Sequence, residues 1–135
     1  MTYLADVNVL SEPTKPTPNR KVLDWLSANE QNFVVDSIIL GELWAGILAL
    51  PRGRKRTHLE LWFDGVVDAV DCIAWDAAIS RRWAQLVVEL KGKGAKLPLL
   101  DSMIAATALH HGLTIATRNT RDFKRAGALV LDPFL

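Results

Sequence analysis

A single cysteine, Cys72, stands among the 135 residues, so no intrachain disulfide and no thiolate metal cluster can form within one chain. It lies in the mostly apolar run Val70-Asp71-Cys72-Ile73-Ala74, where a small buried hydrophobe is expected, and a reducing compartment follows naturally. No basic segment followed by a long apolar stretch opens the chain, so no secretory leader is expected. No unbroken apolar run approaches the roughly eighteen residues of a membrane span, which points to the cytoplasm. Neither sign of charge is in excess: Lys and Arg number 16, Asp and Glu 15, and the net charge of +1 does not by itself call for a polyanion. Linkers, repeats and low-complexity stretches are also missing, and the length suits one domain over residues 1–135.

What is present is apolar material in a regular order. Hydrophobic residues make up 50% of the chain, enough for a full core with some apolar surface left for a partner. Tyr3-Leu4-Ala5 reads as a first buried strand ending at Asp6, with one or two helical turns over 7–12. Pro13, Pro16 and Pro18 make 13–18 a loop. A helix over 19–29 is expected, then a strand at 33–35. Ser37 can cap the next helix, whose apolar side carries Leu40, Leu43, Trp44, Ile47 and Leu50. A further helix runs over about 55–67, a third strand over 70–74, and Asp76 caps a long helix over 77–91. Residues 91–96 form a basic loop. A helix follows from Asp101 to His111, with Gly112 suited to end it. A fourth strand at 113–116, a polar turn at 117–122 and a short strand at 129–131 complete the chain. Strands alternating with helices predict an α/β protein with a parallel sheet covered on both faces.

Open parallel sheets bind ligands beyond the carboxyl ends of their strands, so the polar residues there matter most. Asp6 follows strand one. Thr117, Asn119 and Asp122 follow strand four. Asp101 opens the helix before that strand, and Glu42 interrupts the apolar Leu40-Gly41-Glu42-Leu43-Trp44. Singly, each has an ordinary explanation as a cap, a turn former or a solvated charge. Jointly, Asp6, Glu42, Asp101 and Asp122 are expected to meet from four distant places at one sheet edge, which those explanations do not anticipate. Massed carboxylates repel and raise one another's pKa. A hard divalent cation resolves the repulsion, and Mg²⁺ needs only a few carboxylates because it keeps several waters. Such an ion activates water and steadies phosphoryl charge, the chemistry of phosphodiester hydrolysis. No His-Cys set with zinc spacing competes.

Four segments carry a specific resemblance: Leu4-Ala5-Asp6-Val7-Asn8-Val9-Leu10-Ser11-Glu12, Ser37-Ile38-Ile39-Leu40-Gly41-Glu42-Leu43, Leu99-Leu100-Asp101-Ser102-Met103-Ile104-Ala105-Ala106 and Ile115-Ala116-Thr117-Arg118-Asn119-Thr120-Arg121-Asp122-Phe123. In order and over nearly the whole chain, they resemble the motifs of PIN-domain ribonucleases in the branch of the VapC and FitB-like toxins. The resemblance implies a three-layer α/β/α fold and a Mg²⁺- or Mn²⁺-dependent endoribonuclease toxin cutting transfer or ribosomal RNA. It also implies a cognate antitoxin as partner, and a homodimer. Asp6, Glu42 and Asp101 match the three most regular acids. The fourth place is open between Asn119, where some members of the family carry an acid, and Asp122, which is favoured with Asn119 as a supporting polar or water ligand. Thr117 orients a water or phosphate, and Asn8 holds the turn at the metal site.

Arg118 and Arg121 lie beside these acids and suit substrate phosphates. Arg52-Gly53-Arg54-Lys55-Arg56 and Lys91, Lys93 and Lys96 form further basic clusters, which serve equally as solvated turns or phosphate contacts. The five tryptophans are expected in the core, with Trp44 and Trp62 as candidates for a groove that takes an antitoxin helix. His110 and His111 suit a helix carboxyl end. Three other readings remain: a non-catalytic module of the same fold that binds metal or RNA, a DNA or processing nuclease, and a phosphate-receiver domain with Asp76 near the acceptor place.

Overall fold

The central strand, Tyr3–Ala5 (β1), is flanked on both sides and fully apolar at Leu4 and Ala5, neither of which meets solvent. The computed structural model describes residues 2–135. Strands β2 (Phe33–Asp36), β3 (Cys72–Ile73), β4 (Thr114–Ala116) and β5 (Val130–Leu131) complete a five-stranded sheet in the order β3-β2-β1-β4-β5. Every pair is parallel, with Leu4 opposite Val34 on one side and Ile115 on the other. Parallel neighbours require crossovers, and helices supply them: α1 (Val7–Leu10) with a 3₁₀ turn at Glu12–Thr14, α2 (Arg20–Ala28), α3 (Ser37–Leu48), α4 (Arg54–Ala69), α5 (Ala77–Gly92), α6 (Leu99–His111) and α7 (Thr120–Arg125). The result is the three-layer α/β/α arrangement expected from the alternation of elements.

The topology fixes where a site can form. From β1 the chain steps to β2 and then β3, crosses back through α5 and α6, and adds β4 on the far side of β1. The reversal of direction therefore falls between β1 and β4, and the residues after their carboxyl ends face one crevice. The core below is built from Leu4, Val35, Ile39, Leu86, Ile104, Ile115 and Phe123, all 0–1% exposed.

Several local expectations are corrected. The cap of α3 is Asp36, not Ser37: β2 extends one residue further, and the Asp36 carboxylate accepts the Ile39 N–H at 2.8 Å. Asp101 lies in the first turn of α6 rather than opening it, because the helix starts at Leu99 behind Pro98. Residues 120–125, expected to begin within a turn, are helix α7. Cys72 is exposed, since β3 is a two-residue strand at the sheet edge with nothing beyond it. The tryptophans are half-buried rather than core. Two of them, Trp75 and Trp83, lie where the ring can pack while its N–H is satisfied. Trp83 donates to Ser102 Oγ at 2.9 Å and Trp75 to Ser80 Oγ at 2.7 Å, while Trp25 packs edge-on against Tyr3. Gly112 ends α6 in the left-handed conformation (φ 65°), as its position suggested.

Phe123 anchors α7 in the core. Phe123→Ala should cost about 3–5 kcal/mol of stability, whereas Leu61→Ala on the exposed side of α4 should change it by less than about 0.5 kcal/mol. Denaturant unfolding of both variants checks this, and equal effects would contradict the assigned core.

Candidate active site

The site starts from a strand that must stop. At the end of β1 the buried Asp6 turns the chain into α1, its Oδ1 accepting the Val7 N–H at 2.8 Å as the helix cap. Its Oδ2 accepts from the Thr117 hydroxyl at 2.8 Å and from Asn8 Nδ2 at 3.3 Å. Thr117, fully buried after β4, also receives the Asn119 N–H at 2.9 Å. Asn8 faces both sides of the crevice, donating to Thr117 Oγ1 at 3.3 Å and accepting the Arg118 N–H at 3.0 Å. Asp6, Asn8 and Thr117 thus tie the ends of β1 and β4 together.

Asn119 makes the next link. It occupies the cap position of α7, yet its side chain makes no cap bond. Instead Nδ2 donates to Asp122 Oδ2 at 3.2 Å and reaches Asp101 Oδ2 at 3.4 Å. An amide donor between two carboxylates offsets part of their repulsion without adding a charge. Glu42 approaches from α3, half-buried, with Oε1 shut off from solvent and without a hydrogen-bond partner. The structure therefore brings Asp6, Glu42, Asp101 and Asp122 to one edge. Arg118 and Arg121 stand exposed beside them.

The electrostatics carry the marks of an unneutralised cluster. Burial raises the Asp6 carboxyl above the ordinary range, against the pull of its hydrogen bonds from Thr117, Val7 and Asn8. Burial also raises Glu42, with further contributions from the charges of Asp6, Asp101 and Asp36. Asp101 is raised first by burial and then by Asp6 and Asp122. Among the described residues no Lys or Arg forms an ion pair with any of the four acids. Nor do any three His, Cys, Asp or Glu side chains close on a common point as direct ligands. A hard divalent cation can bind through one or two carboxylates and reach others through retained water. The orphaned Glu42 oxygen and the absence of competing cations fit the same ion.

One acid at the site escaped the sequence reading. Asp36, buried at the end of β2, has its carboxyl raised chiefly by burial and lies within the electrostatic reach of Asp6 and Glu42. Its signal was available: like Asp6, it is an Asp between an apolar strand and an apolar helix. Glu12 is buried but engaged elsewhere, accepting the Asn19 N–H at 2.8 Å and pairing with Lys15 at 2.9 Å. Those contacts hold its carboxyl below the ordinary range.

Raised carboxyls make the metal-free chain sensitive to pH. Asp6, Asp36, Glu42 and Asp101 bind protons more tightly folded than unfolded, so folding is favoured below the ordinary carboxylate range and loses that contribution as pH rises through their raised values. Glu12 acts oppositely, contributing above its ordinary value and losing the contribution as pH falls through its lowered one. In EDTA, Tm should fall as pH rises above the ordinary carboxylate range, less steeply in Glu42→Gln, and Mg²⁺ should restore it at the upper end. Thermal melts across that rise in pH check this, and a slope unchanged by Glu42→Gln would contradict the cluster.

Comparison with known proteins agrees with this geometry. The PIN domain family model matches residues 3–129. VapC ribonuclease Y4jK of Sinorhizobium fredii is 35% identical over 133 residues, covering 96% of this chain and 95% of the relative. The solved structure of FitAB bound to an IR36 DNA fragment contains a chain that superposes with a TM-score of 0.93 at 30% identity, covering 99% of this chain and 96% of that one. A toxin-antitoxin complex from Klebsiella pneumoniae gives a TM-score of 0.73 at 28% identity, covering 98% of each chain. With the four acidic segments in place on a β3-β2-β1-β4-β5 sheet, the chain belongs to the PIN domain family.

Proposed function

We propose that this chain is a metal-dependent endoribonuclease, the toxin of a type II toxin–antitoxin pair, which acts in the cytoplasm on a transfer or ribosomal RNA. The observation that carries the reading is the convergence of Asp6, Glu42, Asp101 and Asp122, with no cation paired to them among the described residues and with the carboxyls of Asp6, Glu42 and Asp101 raised. Asp6 and Asp101 would hold Mg²⁺ or Mn²⁺. When bound, such an ion supplies Lewis-acid stabilisation at phosphoryl oxygens and a water of lowered pKa. Glu42, with a free Oε1 and a carboxyl raised above its ordinary value by burial and neighbouring acids, is suited to accept a proton. Asp122 completes the acidic wall with Asn119 bracing it against Asp101, and Thr117 and Asn8 orient Asp6. Arg118 and Arg121 meet RNA phosphates, and an unpaired strand or loop is the favoured substrate form because duplex RNA hides its base edges.

Residues 1–135 act as one PIN domain in this reading, and two surfaces support its partners. A groove of about 670 Å³ lined by Leu10, Leu26, Phe33, Trp62, Val66 and Val70 offers an apolar bed for an antitoxin helix. Trp62 belongs to it; Trp44 does not, packing on Phe63 with ring centroids 4.8 Å apart. Exposed Val87 and Val88 on α5 with Leu99 and Leu100 on α6 suit a second copy of the chain.

Purified protein freed of antitoxin should cut total RNA only with Mg²⁺ or Mn²⁺, and Asp101→Asn should lower the rate by about a hundredfold or more while melting as a folded protein. An active Asp101→Asn variant would overturn the assignment. Folded parent protein that binds but never cuts RNA would favour a non-catalytic module.

A further inference from the structure

Arg118 stands beside the acids with its charged end pinned in place. Its guanidinium sits over the Phe134 ring, 4.3 Å from the centroid. Its backbone N–H is held by Asn8 Oδ1 at 3.0 Å, so main chain and side chain are fixed separately. The side chain is exposed and, among the described residues, makes no ion pair. Glu12 is the acid whose charge it reaches, and Glu12 is already satisfied by Lys15 and the Asn19 N–H.

The fold does not need this stacking. The segment bearing Phe134 is anchored by β5 pairing to β4, by the Thr117 N–H bond to Leu131 O at 2.9 Å and by buried Pro133. Its own turn closes through the Phe134 N–H to Asp132 Oδ1 at 2.9 Å. What the ring adds is a fixed place for a cation that a solvated arginine would otherwise share among many rotamers. The neighbours Thr117 and Asn119 both belong to the acidic network, so the pinned cation stands at the rim of the crevice. Among the described residues it pairs with neither Asp6 nor Asp101, so it stands apart from the two acids that would hold the ion.

We propose that Arg118, held over Phe134, forms a subsite for an RNA phosphate flanking the one that is cut, with Phe134 as its positioning residue. The subsite rests on the reading of the acid cluster as an RNA-cleaving centre. A planar guanidinium that is already oriented gains two directed bonds to a phosphate at little ordering cost.

The test measures binding of a fluorescein-labelled, mixed-sequence single-stranded RNA to Asp101→Asn protein in Mg²⁺ buffer over a range of salt, beside cleavage by the parent. Arg118→Gln and Phe134→Leu should each weaken binding by roughly tenfold. Arg118→Gln should also reduce the slope of log K against log salt by about 0.7, the signature of one lost phosphate contact. Phe134→Tyr should bind as the parent does, and Phe134→Leu should add little once Arg118 is Gln. Unchanged binding and salt slope in Arg118→Gln, with a parent that still cleaves, would overturn the subsite and leave the ribonuclease reading intact. Equal losses from Phe134→Leu with and without Arg118 would overturn the positioning role. A parent that neither binds nor cleaves RNA overturns both.

Discussion

The hydrogen bond from the Thr117 hydroxyl to Asp6 Oδ2, 2.8 Å long and buried, joins the ends of β1 and β4 where the winding of the sheet reverses. Its position matters more than its strength. Asp6 caps α1 with one oxygen and accepts Thr117 and Asn8 with the other, so one carboxylate closes the strand, starts the helix and fixes the neighbouring loop. Thr117 passes the constraint to the Asn119 backbone, and the Asn119 side chain passes it to Asp101 and Asp122. The carboxyl end of β1 and the segment from Asp101 to Asp122, far apart in sequence, thus share one hydrogen-bonded frame. The frame is built from neutral donors, which leaves the negative charge of the cluster in place for a cation.

That arrangement works against stability. Carboxylates raised by burial and by one another favour a looser chain at neutral pH, and a sequence selected for folding alone would place a Lys or Arg among them. The basic residues stand outside instead: Arg118 is stacked on Phe134, and Arg56 pairs weakly with Glu60 at 3.9 Å on α4. Positive charge at the rim with negative charge inside suits an RNA backbone approaching an ion, because phosphates are gathered without neutralising the centre.

Much of this was legible in the sequence because strand ends and helix starts announce themselves. Asp6, Asp76 and Gly112 sit where a strand or helix must turn, and the alternation of apolar strands with amphipathic helices determined the fold class. Asp36 was missed because Ser37, the next residue, is also a good cap. Only the extension of β2 by one residue decides between them. Cys72 was misplaced because an apolar run does not reveal that its strand is two residues long and at an edge. The tryptophans were placed too deep, since helical periodicity locates a face but not the distance from that face to solvent. The Asn119 bridge and the Arg118–Phe134 stacking rest on side-chain rotamers and on chain segments brought together only by folding, which no spacing rule encodes.

The central claim is that the acids at this sheet edge form an incomplete charge cluster that a divalent cation completes. Calorimetric titration of Mn²⁺ into metal-free protein at about pH 6.5, in two buffers of different ionisation enthalpy, tests it most directly. Saturable binding with release of protons in the parent, lost in a folded Asp6→Asn variant, is the predicted result. No saturable binding in the parent, or the same binding in Asp6→Asn, would contradict it.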